Sequence, residues 1–284
     1  MTPNEISAER VWLVTGASRG FGRALCEAVL ARGELLVATA RGRDFVESFE
    51  REHPEALAVL LDVTDRAQAD AAVEQAHERF GRLDVVVNNA GYGYFGAVEE
   101  LTEDALRQQL EVNFFGVVNM TRAALPAFRR QRSGHLVQMS SLNGIEGMVG
   151  AAYYCASKFA VEGLSESLAG EVAHLGIKVT IVEPGPHRTN FASPESARVA
   201  DPIDDYADSV GQAREAFAEL DGAQPGDPAR AAQAIIEAVD ADDPPLRLAL
   251  GQTALDSIRA KLGGQLEELQ RWERLGASTE RVAA

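Results

Sequence analysis

Three observations predict a doubly wound α/β fold in a single domain of 284 residues. Short β-branched runs alternate with helical patterns along most of the chain. The runs show little polar alternation, as in strands buried on both faces. A glycine-rich turn stands between the first run and the first helix, where this architecture places its ligand crevice.

The elements follow in order. Val11-Trp-Leu-Val-Thr15 reads as a strand, Gly22 to Arg32 as the helix after it, Leu35 to Thr39 as the second strand and Leu57 to Leu61 as the third. Arg66 to Phe80 is a helix and Leu83 to Asn88 the fourth strand. A long helix from about Glu103 to Arg130, a strand His135 to Ser140, a helix through Tyr154 and Lys158, and a strand Ile177 to Val182 come next. Residues 184–224 are rich in Pro, Asp, Ser and Glu with only weak helical pieces. They read as a mobile substrate lid between the sixth and seventh strands, because strand-like Leu246 to Leu250 still follows. The core therefore spans about 10–251, and 252–284 forms a C-terminal helix (Leu255 to Trp272) with a frayed tail of ten or so residues.

A hydrophobic fraction of 46% with 25% charged residues is ordinary for a soluble globular protein. A net charge of −16 repels nucleic acid and anionic membrane, which argues against both as partners. Cys26 and Cys155 are too few for a disulfide framework and suit the reducing cytoplasm. Met1 to Arg10 has no apolar core, so no signal peptide is expected. No apolar run reaches the roughly 20 residues of a membrane span. His53, His77, His135, His174 and His187 are scattered, with no His-Glu-x-x-His and no cysteine pair, so no metal site is expected.

Thr15-Gly16-Ala17-Ser18-Arg19-Gly20-Phe21-Gly22 is the glycine turn. Glycines there let the backbone approach a pyrophosphate, and the helix N-terminus offers unpaired N–H groups and a favourable dipole. The plain alternative is a turn that only lets helix pack on sheet. A carboxylate closing the second strand would repel a 2′-phosphate. That place is held by Ala40, followed by Arg41, and Arg19 adds a second guanidinium. Two arginines without a carboxylate favour NADP(H) over NAD(H).

Tyr154-Cys155-Ala156-Ser157-Lys158 points to proton transfer. Residues four apart share a helix face. A phenol alone loses its proton near pH ~10, and an ammonium beside it is expected to bring that value down.

Together these motifs resemble the short-chain dehydrogenase/reductase family, with its Rossmann-type fold. The glycine turn matches Thr-Gly-x-x-x-Gly-x-Gly, Asn88-Asn89-Ala90-Gly91 matches Asn-Asn-Ala-Gly, and Pro184 to Thr189 matches Pro-Gly-x-x-x-Thr. Ser141 lies 13 residues before Tyr154 and Asn113 lies 28 before Ser141, as in family members. The spacing selects Tyr154 over Tyr153 and Ser141 over Ser140. The matched region covers about residues 10–190.

The resemblance implies roles. Tyr154 would be the general acid or base, Lys158 would lower its pKa and hold the nicotinamide ribose, and Ser141 would steady the substrate oxygen. Asn113 would hold a water linking Lys158 to solvent. Gly16, Ser18, Arg19, Gly20, Phe21, Gly22 and Arg41 would contact the cofactor, as would Val63, Asn89, Ala90, Gly91, Pro184 and Gly185. Asp62 would face the adenine amino group, and Thr189 the nicotinamide carboxamide. Tyr154-Cys-Ala-Ser-Lys-Phe-Ala-Val-Glu-Gly163 and Glu183-Pro-Gly are similar to the hydroxysteroid and retinol dehydrogenase branch. With the little-charged segment Leu142 to Val149, this implies a hydrophobic ketone or aldehyde as substrate.

The family's habit of pairing two long central helices implies a homodimer or homotetramer. Cys155 is expected to face a neighbouring helix rather than act as a nucleophile. Tyr92, Tyr94, Phe95 and Phe191 read either as an apolar pocket or as plain packing. A competing reading is an NADP(H)-binding regulatory protein without turnover, against which the retained tyrosine and lysine count. An epimerase or dehydratase of the longer related branch would need a different glycine turn and a larger C-terminal domain.

Overall fold

The computed structural model describes residues 9–193 and 196–280. Most of the Met1 to Arg10 segment, and the tail beyond Glu280, lie outside the described residues.

Strand β1 (Val11–Thr15) leads through the glycine turn into helix α1 (Gly20–Ala31). Next come β2 (Leu35–Ala40), α2 (Arg43–Glu52), β3 (Leu57–Leu60), α3 (Arg66–Phe80), β4 (Val85–Asn88) and a short β5 (Gly93–Phe95). Helices α4 (Glu103–Leu110) and α5 (Gly116–Gln131) are joined without a break by one wide π turn, Glu111–Phe115. Then follow β6 (Gly134–Met139), α6 (Ala152–Val172), β7 (Ile177–Pro184), a short β8 (Ala197–Val199), α7 (Gln212–Glu219), α8 (Pro228–Asp240), β9 (Arg247–Leu250) and α9 (Gln252–Ala277).

Seven strands form one parallel sheet in the order β3-β2-β1-β4-β6-β7-β9. Within β1, Trp12 and Val14 face one core while Val11 and Leu13 face the other. Both sets are apolar because helices cover both faces, which explains the missing polar alternation. One face packs under α1 and α8 through Leu25, Val29, Ile235 and Ile236. The opposite face packs under α3, α5 and α6 through Val73, Met120, Phe128 and Leu168. Side chains of that size each contribute roughly 1.5–3 kcal/mol when fully buried.

Local chemistry sets the helix ends. The Asp65 side chain accepts from the backbone N–H of Ala67 and Gln68 to start α3, and Gly81, at φ 77°, closes it. Asp227 caps α8, with Pro228 in its first turn.

Several elements differ from the sequence expectation. Helix α2 and helix α8 both lie in stretches where no helix was expected. Helix α2 fully buries only Phe49, so its sequence shows one apolar contact among charges. The segment 184–224 carries two more regular elements, β8 and α7, and β8 pairs in parallel with β5. Strands of three residues leave no usable periodicity, and this pair is formed only by chain segments about a hundred residues apart. Helix α9 continues past Trp272 to Ala277, into the stretch expected to fray. No helix among the described residues is long and apolar enough to cross a membrane.

Candidate active site

The site is built at the carboxyl ends of β1, β4, β6 and β7. Thr15, the last residue of β1, accepts at its hydroxyl from the backbone N–H groups of Asn89 and Ala90, at 2.9 and 3.0 Å. The Asn89 amide donates back to the carbonyls of Thr15 and Gly16, at 2.9 and 3.2 Å. The Asn-Asn-Ala-Gly run thus pins the glycine turn, while Asn88 braces the sheet through Gln138 at 2.8 Å. A Cβ on Gly22 would lie 2.2 Å from the Gly16 carbonyl oxygen and 2.6 Å from the Asn89 amide. Only glycine lets α1 start this close to the strand. No side chain caps α1 and no acid occupies its first turn, so its N–H groups and dipole suit an anion.

A cavity of about 600 Å³ runs from this turn across the strand ends. At one end stand Arg19, the exposed Arg41, Asp62 and Val63. Ala40 closes β2, so no carboxylate stands beside Arg41 at the strand end. The Asp62 carboxylate is fixed by its own turn, with Oδ1 accepting from Thr64 N–H at 3.0 Å and Thr64 Oγ1 at 2.8 Å. Of the cofactor positions expected from the sequence, Gly22 alone does not line the cavity; it lies beneath it.

Midway, Ser141, Tyr154 and Lys158 share the cavity wall, all of them buried. Ser141 leaves β6 and accepts at Oγ from Asn143 N–H at 3.1 Å, which fixes its rotamer. Tyr154 and Lys158 sit one turn apart on α6, as their spacing requires. Their electrostatics correct the expectation, however. Burial pushes the Tyr154 phenol up to about 12, and the nearby Ser141 hydroxyl reverses this only in part. The Lys158 ammonium lies 5.7 Å from the phenol ring centroid and donates instead to the Met139 carbonyl at 2.7 Å. Desolvation outweighs the neighbouring cation because both groups are buried together. The same burial brings Lys158 down to about 8, with Glu162 acting in the opposite direction.

Asn113 does not line the cavity. It sits in the π turn, a kind of distortion frequent at functional sites. Its side-chain oxygen accepts from Tyr92 N–H at 3.1 Å, and its amide donates to Tyr92 O at 2.9 Å and Ser157 Oγ at 3.1 Å. Both side-chain groups are therefore engaged in holding the segment after β4.

The far end of the cavity is aromatic. Phe95 stacks on Phe217 at 4.4 Å, and Tyr154 lies 5.3 Å from Phe191. Met148 and Leu220 complete this wall. Phe95, Phe191 and Tyr92 therefore do line the cavity, whereas Tyr94 holds Arg198 through a 2.7 Å bond from Arg198 Nη1. Phe217, Leu220 and Arg198 were not anticipated. A lone aromatic on a weakly patterned helix gives no signal until β8 pairs with β5 and carries the segment over the site. Cys155 is turned to the 148 loop, accepting from Met148 N–H at 3.3 Å, and not to a neighbouring helix. His187 lines the cavity, meets the Phe21 ring at a 57° tilt with centroids 5.0 Å apart, and has Nδ1 2.9 Å from the Gly185 carbonyl.

Known proteins share this fold. The family model described as short chain dehydrogenase matches residues 10–200. The oxidoreductase BOA17 of Botryotinia fuckeliana is 41% identical over 251 residues, covering 87% of this chain and 90% of that protein. The 3-ketodihydrosphingosine reductase of Bacteroides thetaiotaomicron is 37% identical, over 85% of this chain and 88% of that one. The NADPH-dependent 3-dehydrocapnine reductase of Ornithobacterium rhinotracheale is 35% identical over 64% and 67%. Among solved structures, a short-chain dehydrogenase from Streptomyces avermitilis is 44% identical with a TM-score of 0.90, covering 96% of this chain and 99% of that one. A Burkholderia phymatum short chain dehydrogenase/reductase in complex with NAD is 25% identical with a TM-score of 0.79, covering 97% and 98%. An alcohol dehydrogenase from Thermococcus sibiricus complexed with 5-hydroxy-NADP is 26% identical with a TM-score of 0.69, covering 86% and 96%.

Proposed function

The chain belongs to the short-chain dehydrogenase/reductase family and is an oxidoreductase acting on CH–OH or carbonyl groups; from that premise we propose an NADP(H)-dependent reductase of a hydrophobic ketone or aldehyde. One observation carries the reading. A single cavity joins an uncapped helix N-terminus flanked by Arg19 and Arg41 to a phenol, a hydroxyl and an ammonium, and ends in an aromatic wall.

The residues fit a nicotinamide dinucleotide. The turn Gly16 to Phe21 and the bare start of α1 would hold a pyrophosphate, Asp62 would face the adenine, and Thr189 with Pro184 and Gly185 would hold the nicotinamide end. Arg41, after the carboxylate-free end of β2, would take the 2′-phosphate, and one relative is NADPH-dependent by name. When bound, such a cofactor supplies or accepts the hydride.

The chain's own groups handle the proton. With its pKa near 12, the Tyr154 phenol carries its proton at neutral pH, which suits donation to a carbonyl oxygen undergoing reduction. Ser141 donates a hydrogen bond to the same oxygen. Lys158 stays an ammonium below about pH 8 and favours the phenolate left behind. Because the Asn113 side chain is committed to Tyr92 and Ser157, any water it holds for a proton path is bound through its backbone.

The Phe95, Phe191 and Phe217 wall supports an apolar substrate, and one relative is a 3-ketodihydrosphingosine reductase by name. A panel of ketones and aldehydes, read by loss of NADPH absorbance, tests this. Bulky apolar carbonyl compounds should be reduced fastest, and a preference for small polar ones would refute the substrate class. The competing reading, a regulatory protein without turnover, predicts NADPH binding and no turnover across the panel.

We place the protein in the cytoplasm, consistent with two free buried cysteines. We also propose a homodimer or tetramer. Phe115, beside α5, and Phe159, on α6, are 45% and 44% exposed, which suits a helix-to-helix interface. Sedimentation should give a dimer or larger, and Phe115→Glu with Phe159→Glu should shift it to monomer. A monomeric wild type at micromolar concentration would rule the interface out.

A further inference from the structure

Behind Lys158, on the side away from the cavity, lies a cluster of carboxylates that proton transfer at Tyr154 does not use. Lys158, Glu162 and Glu166 occupy successive turns of α6, running from the site to the surface. Glu162 is 5% exposed and Glu183, at the end of β7, is 2% exposed. Arg247, on β9, bridges all of them. Its Nε lies 3.2 Å from Glu162 Oε2 and 3.4 Å from Glu183 Oε1, and its Nη2 lies 2.7 Å from Glu166 Oε2.

The cluster sets three carboxylates against the cations Arg247 and Lys158. Glu162 Oε1 is buried with the Ser140 hydroxyl as its neighbour, and Glu183 Oε1 has the 3.4 Å contact with Arg247 Nε. Ser140 and Glu162 meet over Gly144, where an added Cβ would lie 2.4 Å from Ser140 Oγ and 3.1 Å from Glu162 Oε1. Lys158, for its part, has only the Met139 carbonyl as a bonded partner and no carboxylate within 4 Å among the described residues. A buried ammonium so placed needs a negative charge nearby to remain an ammonium.

We propose that Glu162, held as a carboxylate by Arg247, is a positioning residue that keeps Lys158 charged. The assignment rests on the reading of Lys158 given above, but its electrostatic core can be tested without turnover. The charged and polar groups facing Glu162 divide the work. Lys158 and Arg247 favour its ionised form, and Ser140 does the same, while Glu166 and burial oppose it. Glu183, near Glu162 and desolvated, is pushed up to about 7, with Arg247 acting in the opposite direction.

The sign follows directly. Burial holds Lys158 near 8 even with Glu162 present, so removing that negative charge lowers it further. In Glu162→Gln the Lys158 titration should move to lower pH by roughly one unit, the effect of one charge at about a helical turn. The chain has three lysines, so [13C]lysine labelling gives a sparse NMR spectrum, with Lys158 assigned by its loss in Lys158→Met. The alkaline limb of kcat/KM for NADPH-dependent reduction should move with that titration. Glu162→Asp should restore most of it.

Glu166→Gln is the control, since it loosens the same arginine but lies 62% exposed at the surface. It should leave the Lys158 titration in place. If Glu162→Gln leaves the lysine signal unmoved, or Glu166→Gln moves it as far, the proposal is wrong. A lysine titration that shifts as expected in a protein with no reductase activity would keep the electrostatic pairing and overturn the catalytic reading instead.

Discussion

Tyr154→Phe should lower kcat/KM for carbonyl reduction by about 10³-fold while leaving NADPH binding within about twofold of wild type. The magnitude is that of a positioned general acid, roughly 10²- to 10⁴-fold, or about 3–5 kcal/mol of barrier. The substitution isolates the proton because so little else changes. The ring contacts with Phe191 at 5.3 Å and Phe95 at 6.2 Å are kept. Tyr154 is 7% exposed, and the Ser141 hydroxyl is the polar group beside its phenol. Losing a buried hydroxyl with that one partner should change stability by about 1 kcal/mol. Thermal unfolding, NADPH fluorescence titration and steady-state rates separate the three outcomes. A near-normal rate would remove Tyr154 from the chemistry. Loss of NADPH binding together with rate would recast it as a binding residue.

The parts of this site that were legible in the sequence are those fixed by local geometry. A helix repeats every 3.6 residues, so Tyr154 and Lys158 had to share a face. Glycines at 16, 20 and 22 at the start of a helix could hardly serve anything but close approach. What escaped was long-range. The aromatic wall depends on β8 finding β5 and on α7 delivering Phe217, contacts between segments about a hundred residues apart. The sign of the Tyr154 shift also escaped. Spacing shows that an ammonium is near, but only the packed structure shows that burial dominates and that Lys158 is turned to Met139. The role of Arg247 was invisible for the same reason. Its three carboxylate partners come from α6 and β7, and nothing in the run Leu246 to Leu250 hints at them.

Arg41→Asp should reverse cofactor choice, with the ratio of kcat/KM for NADPH to that for NADH falling by about 10²- to 10³-fold. Two effects add. A guanidinium gripping a 2′-phosphate contributes about 1.5–3 kcal/mol as a charge-assisted hydrogen bond. A carboxylate in its place repels that phosphate and accepts hydrogen bonds from a ribose 2′-hydroxyl, raising the NADH term as the NADPH term falls. The fold should tolerate the change, because Arg41 is exposed, follows the last residue of β2 and makes no ion pair among the described residues. Arg19 makes the result informative. It lines the same end of the cavity from the glycine turn, so it could read the phosphate in place of Arg41. If Arg41→Asp leaves NADPH affinity intact and Arg19→Ala weakens it, the phosphate is held from the glycine turn. If neither changes the ratio, the chain does not discriminate through its arginines, and preference for NADP(H) fails as a reading of this strand end.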